Sequence, residues 1–194
     1  MIRVAALLVC LATVVVSQRP EPCDTPLAWE ARASAYDHGA GQNNRFRISY
    51  DAVNKRRRIL EEIDAFTPGR EFYEYLELGN EHKIYIINQA TRHCEVREDP
   101  YFRMYEIPKN ATFEGAHTIG FGLDESFEVH EWSDRIAAGR LTWIGGFTAR
   151  SCVPVSEVIF KTNITNSVTN HFYDITGGIS DPNIFIVPTA CSQL

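Results

Sequence analysis

Residues 29–36 alternate without a break: Trp29, Ala31, Ala33 and Ala35 fall on one side of an extended chain, Glu30, Arg32, Ser34 and Tyr36 on the other. Successive side chains of a strand point to opposite faces, so period two specifies a strand with one buried face. That burial also fixes register, because a slip of one residue would turn the whole apolar set outward. The same period returns along the chain. Phe46, Ile48 and Tyr50 alternate in 45–51, and polar 51–54 leads into 56–63, which is a hairpin. Pro68-Gly69 breaks the chain before 71–78, Gly79-Asn80 turns it, and 82–88 returns as a second hairpin. Residues 92–97 add a strand carrying Cys94, and 118–132, 141–151, 155–162, 170–176 and 183–187 read as five more. Ser133 and Gly139 are placed to start and stop one helical turn. Between 98 and 117 the pattern is lost among Pro100, Pro108 and Gly115. A structureless loop of about twenty residues is unusual in a compact domain, so a short helix or a functional flap is expected there. About ten strands without alternating helices give a mainly β fold, an antiparallel sheet, sandwich or barrel-like.

The ends of the chain place this fold in a compartment. Arg3, an uncharged apolar run from Val4 to Val16, and Ser17 have the order of a secretory signal peptide, 1–17, leaving 18–194 as a single domain. The run is shorter than the ~20 residues a spanning helix needs, and no other window is apolar enough, so the product is not expected to span a membrane. Cys10 leaves with the signal. The remaining Cys23, Cys94, Cys152 and Cys191 are an even set for an oxidising compartment, two disulfides with three possible connectivities. A zinc site would want close pairs, whereas the nearest two are 39 positions apart. Asn110-Ala111-Thr112 and Asn163-Ile164-Thr165 are N-glycosylation sequons. The formal charge of −6, more negative still without Arg3, excludes nucleic acid as an expected partner and gives no attraction to anionic head groups.

The residues that could carry chemistry are scattered. His38, His82, His93, His117, His130 and His171 stand singly, with no H-E-x-x-H, and no G-x-S-x-G elbow exposes a serine. Cysteines held in bridges cannot act as thiolates. Glu71, Glu74, Glu77, Asp124, Glu125 and Glu128 fall on wet strand faces, so no catalytic residue is assigned and the protein is not expected to be an enzyme. Lys55-Arg56-Arg57-Arg58 sits on a hairpin arm with Glu61, Glu62 and Asp64 following, a solvated or cross-strand-paired face. Calcium is a possible cofactor: Asp124, Glu125 and Glu128, or Asp174 and Asp181, offer carboxylates without EF-hand spacing, and no metal ligand is assigned.

The apolar inventory points further. Phe46, Tyr50, Phe72, Leu76, Ile84, Ile86, Phe121, Phe127, Trp132, Trp143, Phe160 and Phe172 occupy strand positions read as facing inward. A strongly curved sheet cannot fill its own concave side, so these twelve are candidates for lining a ligand pocket, the alternative being an ordinary core.

The order of segments resembles the ependymin family. The likeness runs from Cys23 to Cys191 through EPCDTPLAWEARAS, FRISYDAVNKRRRILEE, IPKNATFEGAHTIGFG, FEVHEW and FYDITGGISDPNIFIVPTAC. The resemblance implies a secreted or lysosomal glycoprotein that forms a homodimer. It also implies a strongly curved antiparallel sheet, or half-barrel, like that of bacterial lipoprotein-carrier proteins, with a cavity for lipid acyl chains. It pairs Cys23 with Cys152 and Cys94 with Cys191; the third bridge of some vertebrate relatives has no cysteines here. The expectation is therefore a non-enzymatic protein that binds lipid or another hydrophobic ligand. A calcium-associated protein of cell-matrix adhesion, with the extracellular matrix as partner, is the alternative.

Overall fold

The computed structural model describes residues 19–63, 69–122, 124–134, 142–160 and 166–191. The signal peptide, Asn163 and most of the expected helical turn lie outside them. The strands are β1 Ala28–Asp37, β2 Gln42–Asp51, β3 Arg56–Glu61, β4 Tyr73–Leu78, β5 Lys83–Asn88, β6 Cys94–Glu98, β7 Thr112–Phe121, β8 Glu125–Ser133, β9 Trp143–Thr148, β10 Pro154–Phe160 and β11 Ser167–Gly177. They form one antiparallel sheet in the order β6-β5-β4-β3-β2-β1-β11-β10-β9-β8-β7. β1 pairs with both β2 and β11, so the first and last strands meet at the centre and each half is a meander. β6 and β7 are the two edges, so the sheet is curved but not closed into a barrel.

Local chemistry sets the turns. Asp37 Oδ1 accepts the N–H groups of Gly39 and Ala40, which starts the β1–β2 turn. At β2–β3, Asp51 accepts from the Asn54 backbone and side chain and from Arg56, at 2.6 Å from its guanidinium. Burial opposes the charge on Asp51, but the hydrogen bonds from Asn54 and Arg56 outweigh it and hold the carboxyl below its ordinary value. Glu62 is held down by its hydrogen bond from Arg32, against burial, with Arg47 adding to the effect. A carboxyl with a lower value folded than unfolded adds stability above the unfolded value and loses it as pH falls through the folded one. We therefore expect the urea midpoint to hold down to about pH 4.5 and to fall below it. The Glu62→Gln variant should lose less between pH 6 and pH 3 than the parent; equal losses would show that these pairs do not set the acid limit.

Both faces of the sheet carry a core. On the inner face, Trp29, Ala31, Ala33, Ile48, Tyr50 and Phe172 pack with Tyr105, and Trp132, Trp143 and Phe147 pack with Ile107. Gly145 sits between the last three rings, where a Cβ would run into the Trp143 ring. On the outer face, Leu76, Leu78, Tyr85 and Ile87 are covered by the C-terminal segment through Phe185, Ile184 and Val187. Cys94–Cys191 pins that segment to edge strand β6, and Cys23–Cys152 pins the N-terminal segment to the β9–β10 connection. These are the pairs the resemblance implies. They close loops of 129 and 97 positions, worth about 4–5 kcal/mol each in the chain-entropy account.

Three expectations are corrected. Residues 118–132 are not one strand but the hairpin β7–β8: Gly120 has φ 110, and a Cβ there would collide with the Glu125 carbonyl oxygen. Residues 183–187 are not a strand. Asp181 caps a short 3-10 turn, Pro182–Phe185, that starts on proline, and a second follows at Thr189–Cys191. The patternless stretch shortens to 99–111, because β7 begins at Thr112. It holds no helix and runs from edge β6 to edge β7 across the inner face.

Candidate functional site

The crossing segment makes the site. Tyr105 inserts against the centre of the inner face, with its ring 5.1 Å from those of Trp29 and Tyr50 and 5.6 Å from Phe172. These are edge-on contacts, the arrangement that aromatic quadrupoles favour. Its backbone is held from both sides: Tyr50 accepts the Tyr105 N–H at 3.2 Å, and Thr25 donates to the Tyr105 carbonyl at 2.6 Å. Phe102 stacks on Tyr50, and Arg103 reaches β10 to pair with buried Glu157 at 2.9 Å. The segment thus fills the inner face over one half of the strands and leaves the other half uncovered.

In the uncovered half lies a cavity of about 360 Å³. Its floor comes from inward positions of adjacent strands: Ala33 and Ala35 of β1, Phe46 and Ile48 of β2, Ile59 of β3, and Val168 and Phe172 of β11. Ala33 faces Phe46 on one side and Phe172 on the other, so two alanines in the alternating stripe are what leaves room between the rings. Tyr75 and Glu77 of β4 form one wall and Tyr105 the deep end.

Polar groups ring this floor. Arg57 lies behind it, largely covered, paired with Glu77 at 2.6 Å, with its guanidinium 5.2 Å from the Tyr105 ring. Burial works against its charge, but Tyr105, Glu77 and Glu157 more than compensate, and the group is held above the ordinary arginine value. Burial raises the Tyr105 phenol, opposed by Arg57, so that the hydroxyl stays protonated. Glu61 accepts the Tyr73 N–H at 2.9 Å and lies 3.5 Å from Arg70. The three arginines of the basic run are thus cross-strand-paired, Arg56 to Asp51, Arg57 to Glu77 and Arg58 to Glu74, but Arg57 lies on the inner face, largely covered, while its neighbours point outward.

The pocket candidates separate on this geometry. Phe46 and Phe172 line the cavity. Tyr50 is in the core beside it, and Trp132 and Trp143 are in the second inner core. Ile84 and Ile86 are opposite Glu77 and Tyr75, on the inner face beyond the cavity wall. Leu76 lies on the outer face beneath the C-terminal segment, and Phe72 stacks under Arg70. Phe160 follows inward Ile159 and so faces outward. Phe121 and Phe127 are on the outer face of the β7–β8 hairpin, 87% and 46% exposed. Leu76, Phe121, Phe127 and Phe160 are therefore not on the cavity face, because alternation alone does not say which of two apolar faces a strand turns inward. Tyr105, Ala33, Ala35 and Glu61 line the cavity and are not among the twelve pocket candidates. The alanine stripe was a usable signal; Tyr105 gave none, since it lies where no period exists.

Asn110 is exposed on the crossing segment. Among the described residues no group of three His, Cys, Asp or Glu is placed to hold a metal ion. His38 meets Thr169 and His130 meets Glu128.

Comparison with known proteins adds lineage. The Ependymin family profile matches residues 67–191. Mammalian ependymin-related protein 1 of Mus musculus is 40% identical over 174 residues, 89% of this chain and 77% of that protein. The same protein of Rattus norvegicus is 39% identical over 175 residues, with 89% and 77% covered. Among solved structures, an uncharacterized conserved protein from Thermus thermophilus aligns with a TM-score of 0.53 at 8% identity over 84% of this chain and 87% of that one, a likeness of fold alone. A LolA superfamily protein from Nitrosomonas europaea aligns at 0.41 and 6% identity over 82% and 90%, too low a score to carry an argument. On the family profile, and on identity across nearly the whole chain, this protein belongs to the ependymin family.

Proposed function

We propose that this chain is a secreted, non-enzymatic glycoprotein that holds a hydrophobic ligand in the inner-face cavity. The observation that carries the proposal is the cavity itself: an apolar floor spread over neighbouring strands, held open because the crossing segment covers only part of the face. Two disulfides fit an oxidising compartment, and among the described residues no helix is long and apolar enough to cross a membrane. Exposed Asn110 is available to a glycan. A homodimer is part of the proposal, with the exposed Ile119, Phe121 and Phe127 of the β7–β8 hairpin as apolar surface available to a second copy.

Binding would work by removing apolar surface from water. Burying a chain of about twelve methylenes yields roughly 10 kcal/mol gross at ~0.8 kcal/mol each, and association costs several kcal/mol of it. Dissociation constants of micromolar order are expected. The test is titration of the purified protein with Nile red, an uncharged apolar dye, followed by displacement with dodecanol. Saturable, one-to-one, dodecanol-sensitive fluorescence is expected; a signal that never saturates, or that dodecanol leaves unchanged, would contradict the proposal.

A further inference from the structure

The lining of the cavity offers shape and not charge. Its inner carboxylates are already met, Glu77 by Arg57 at 2.6 Å and Glu61 by Arg70 at 3.5 Å. What discriminates between ligands is therefore how long and how wide the space is, and where it stops.

The strand register gives the long axis. Along β1 the floor runs from Ala33 through Ala35 to Asp37, flanked first by Phe46 and Phe172, then by Asn44 and Asn170. Burial falls along the same line: Ala33 and Phe172 are buried, whereas Asp37 and Asn44 are half-buried beside the exposed β1–β2 turn. The mouth is at that turn and the blind end is at Tyr105. Tyr105 is a fixed stop. Its ring stands edge-on against Trp29 and Phe172, and Trp29 has no exposed surface. Its N–H is accepted by Tyr50 and its carbonyl accepts from Thr25, so the ring is carried on an anchored stretch of chain.

Two dimensions of the space agree. From Ala33 to Asp37 the floor covers four steps of strand, about 13 Å at ~3.3 Å each. An extended alkyl chain advances ~1.25 Å per methylene, from bonds of ~1.5 Å at ~111°, so about ten methylenes span that length. A volume of about 360 Å³ accommodates about twelve groups of ~30 Å³ each. Length and volume coincide for one extended chain; two side by side would need twice the volume.

We propose that Tyr105 sets the length of the ligand, so that the cavity selects single unbranched alkyl chains of about ten to twelve carbons, entering tail-first at the β1–β2 turn. The inference rests on the cavity proposed above as the ligand site. Methylenes up to that number are buried against the floor. Those beyond it stay in water at the mouth, where they add nothing to affinity.

The experiment displaces Nile red from the purified full chain with octyl, decyl, dodecyl and tetradecyl maltoside, which are uncharged, share one head group and are each used below the micelle concentration. Every buried methylene should tighten displacement about three- to fourfold. Decyl maltoside should therefore outdo octyl by about tenfold, whereas tetradecyl should bind within twofold of dodecyl. Tyr105→Leu keeps a buried apolar side chain but gives up the ring, and in that variant tetradecyl should bind about tenfold tighter than dodecyl. Tyr105→Ala should move the break at least as far. If Tyr105 only supported the fold, its loss would weaken all four lengths alike and leave the break in place. That result in a folded Tyr105→Leu protein would overturn the proposal. So would a parent series that tightens evenly through tetradecyl, which requires no variant to fold. Either result would leave the cavity reading standing, whereas failure of Nile red to bind the parent protein would overturn both.

Discussion

Trp29→Ala should lower the stability of the protein by about 3–5 kcal/mol, the range for removing a large buried aromatic. Trp29 has no exposed surface and touches rings from three other parts of the chain: Tyr50 on β2, Phe172 on β11 and Tyr105 on the crossing segment. The truncation therefore leaves a void where the first strand, its two partners and the crossing segment meet. The inner face cannot collapse to fill it, because β1 is held on both sides by ladder hydrogen bonds. For a domain of this size each kcal/mol is worth roughly 2–4 °C in Tm, so scanning calorimetry should show a fall of about 10 °C. A fall under 2 °C would mean that Trp29 is not the keystone its contacts describe. Ligand affinity should fall too, since Tyr105 closes the deep end of the cavity and leans on Trp29.

Ala33→Phe should separate binding from stability. Ala33 lies between Phe46 and Phe172 on the cavity floor, and a phenyl ring there would occupy the volume the ligand needs. Nile red affinity should drop by at least tenfold while the melting midpoint stays within a few degrees, because the ring enters existing space instead of displacing a neighbour. Unchanged dye binding would place the ligand elsewhere on the molecule. A collapse in stability would show that the space is not available in solution.

How far these residues spoke before the fold was seen depends on their environment. The strand β1 and the hairpins β2–β3 and β4–β5 were visible because their strands alternate and each of those turns carries Asp, Asn or Gly where the chain must reverse. The β7–β8 hairpin was hidden because its apolar side chains run on through the turn, Phe121 on one arm and Phe127 on the other. Residues 183–187 look β-like by composition, yet Asp181 and Pro182 impose a capped 3-10 turn.

The division between the two cores was less accessible. In β4 both alternating sets are substantially buried, Tyr73, Tyr75 and Glu77 on the inner face and Glu74, Leu76 and Leu78 on the outer. Hydrophobicity favours Leu76, but the cavity takes Tyr75 and Glu77, because Arg57 sits opposite Glu77 and neutralises it. Burial of an ion pair is a tertiary fact, and no local pattern announces it. The crossing segment is the same case: its aromatics have no period, and their position follows only from the chain having to travel from one edge of the sheet to the other.

Photoaffinity labelling tests the central claim most directly. A dodecylamine carrying a terminal diazirine, irradiated with the purified protein and mapped by peptide mass spectrometry, reports which residues lie against the chain. The cavity account predicts labels in 33–48, at Ile59 and in 168–172, lost on competition with dodecanol and in the Ala33→Phe variant. Labels confined to the exposed hairpin around Ile119, Phe121 and Phe127, and insensitive to Ala33→Phe, would contradict it.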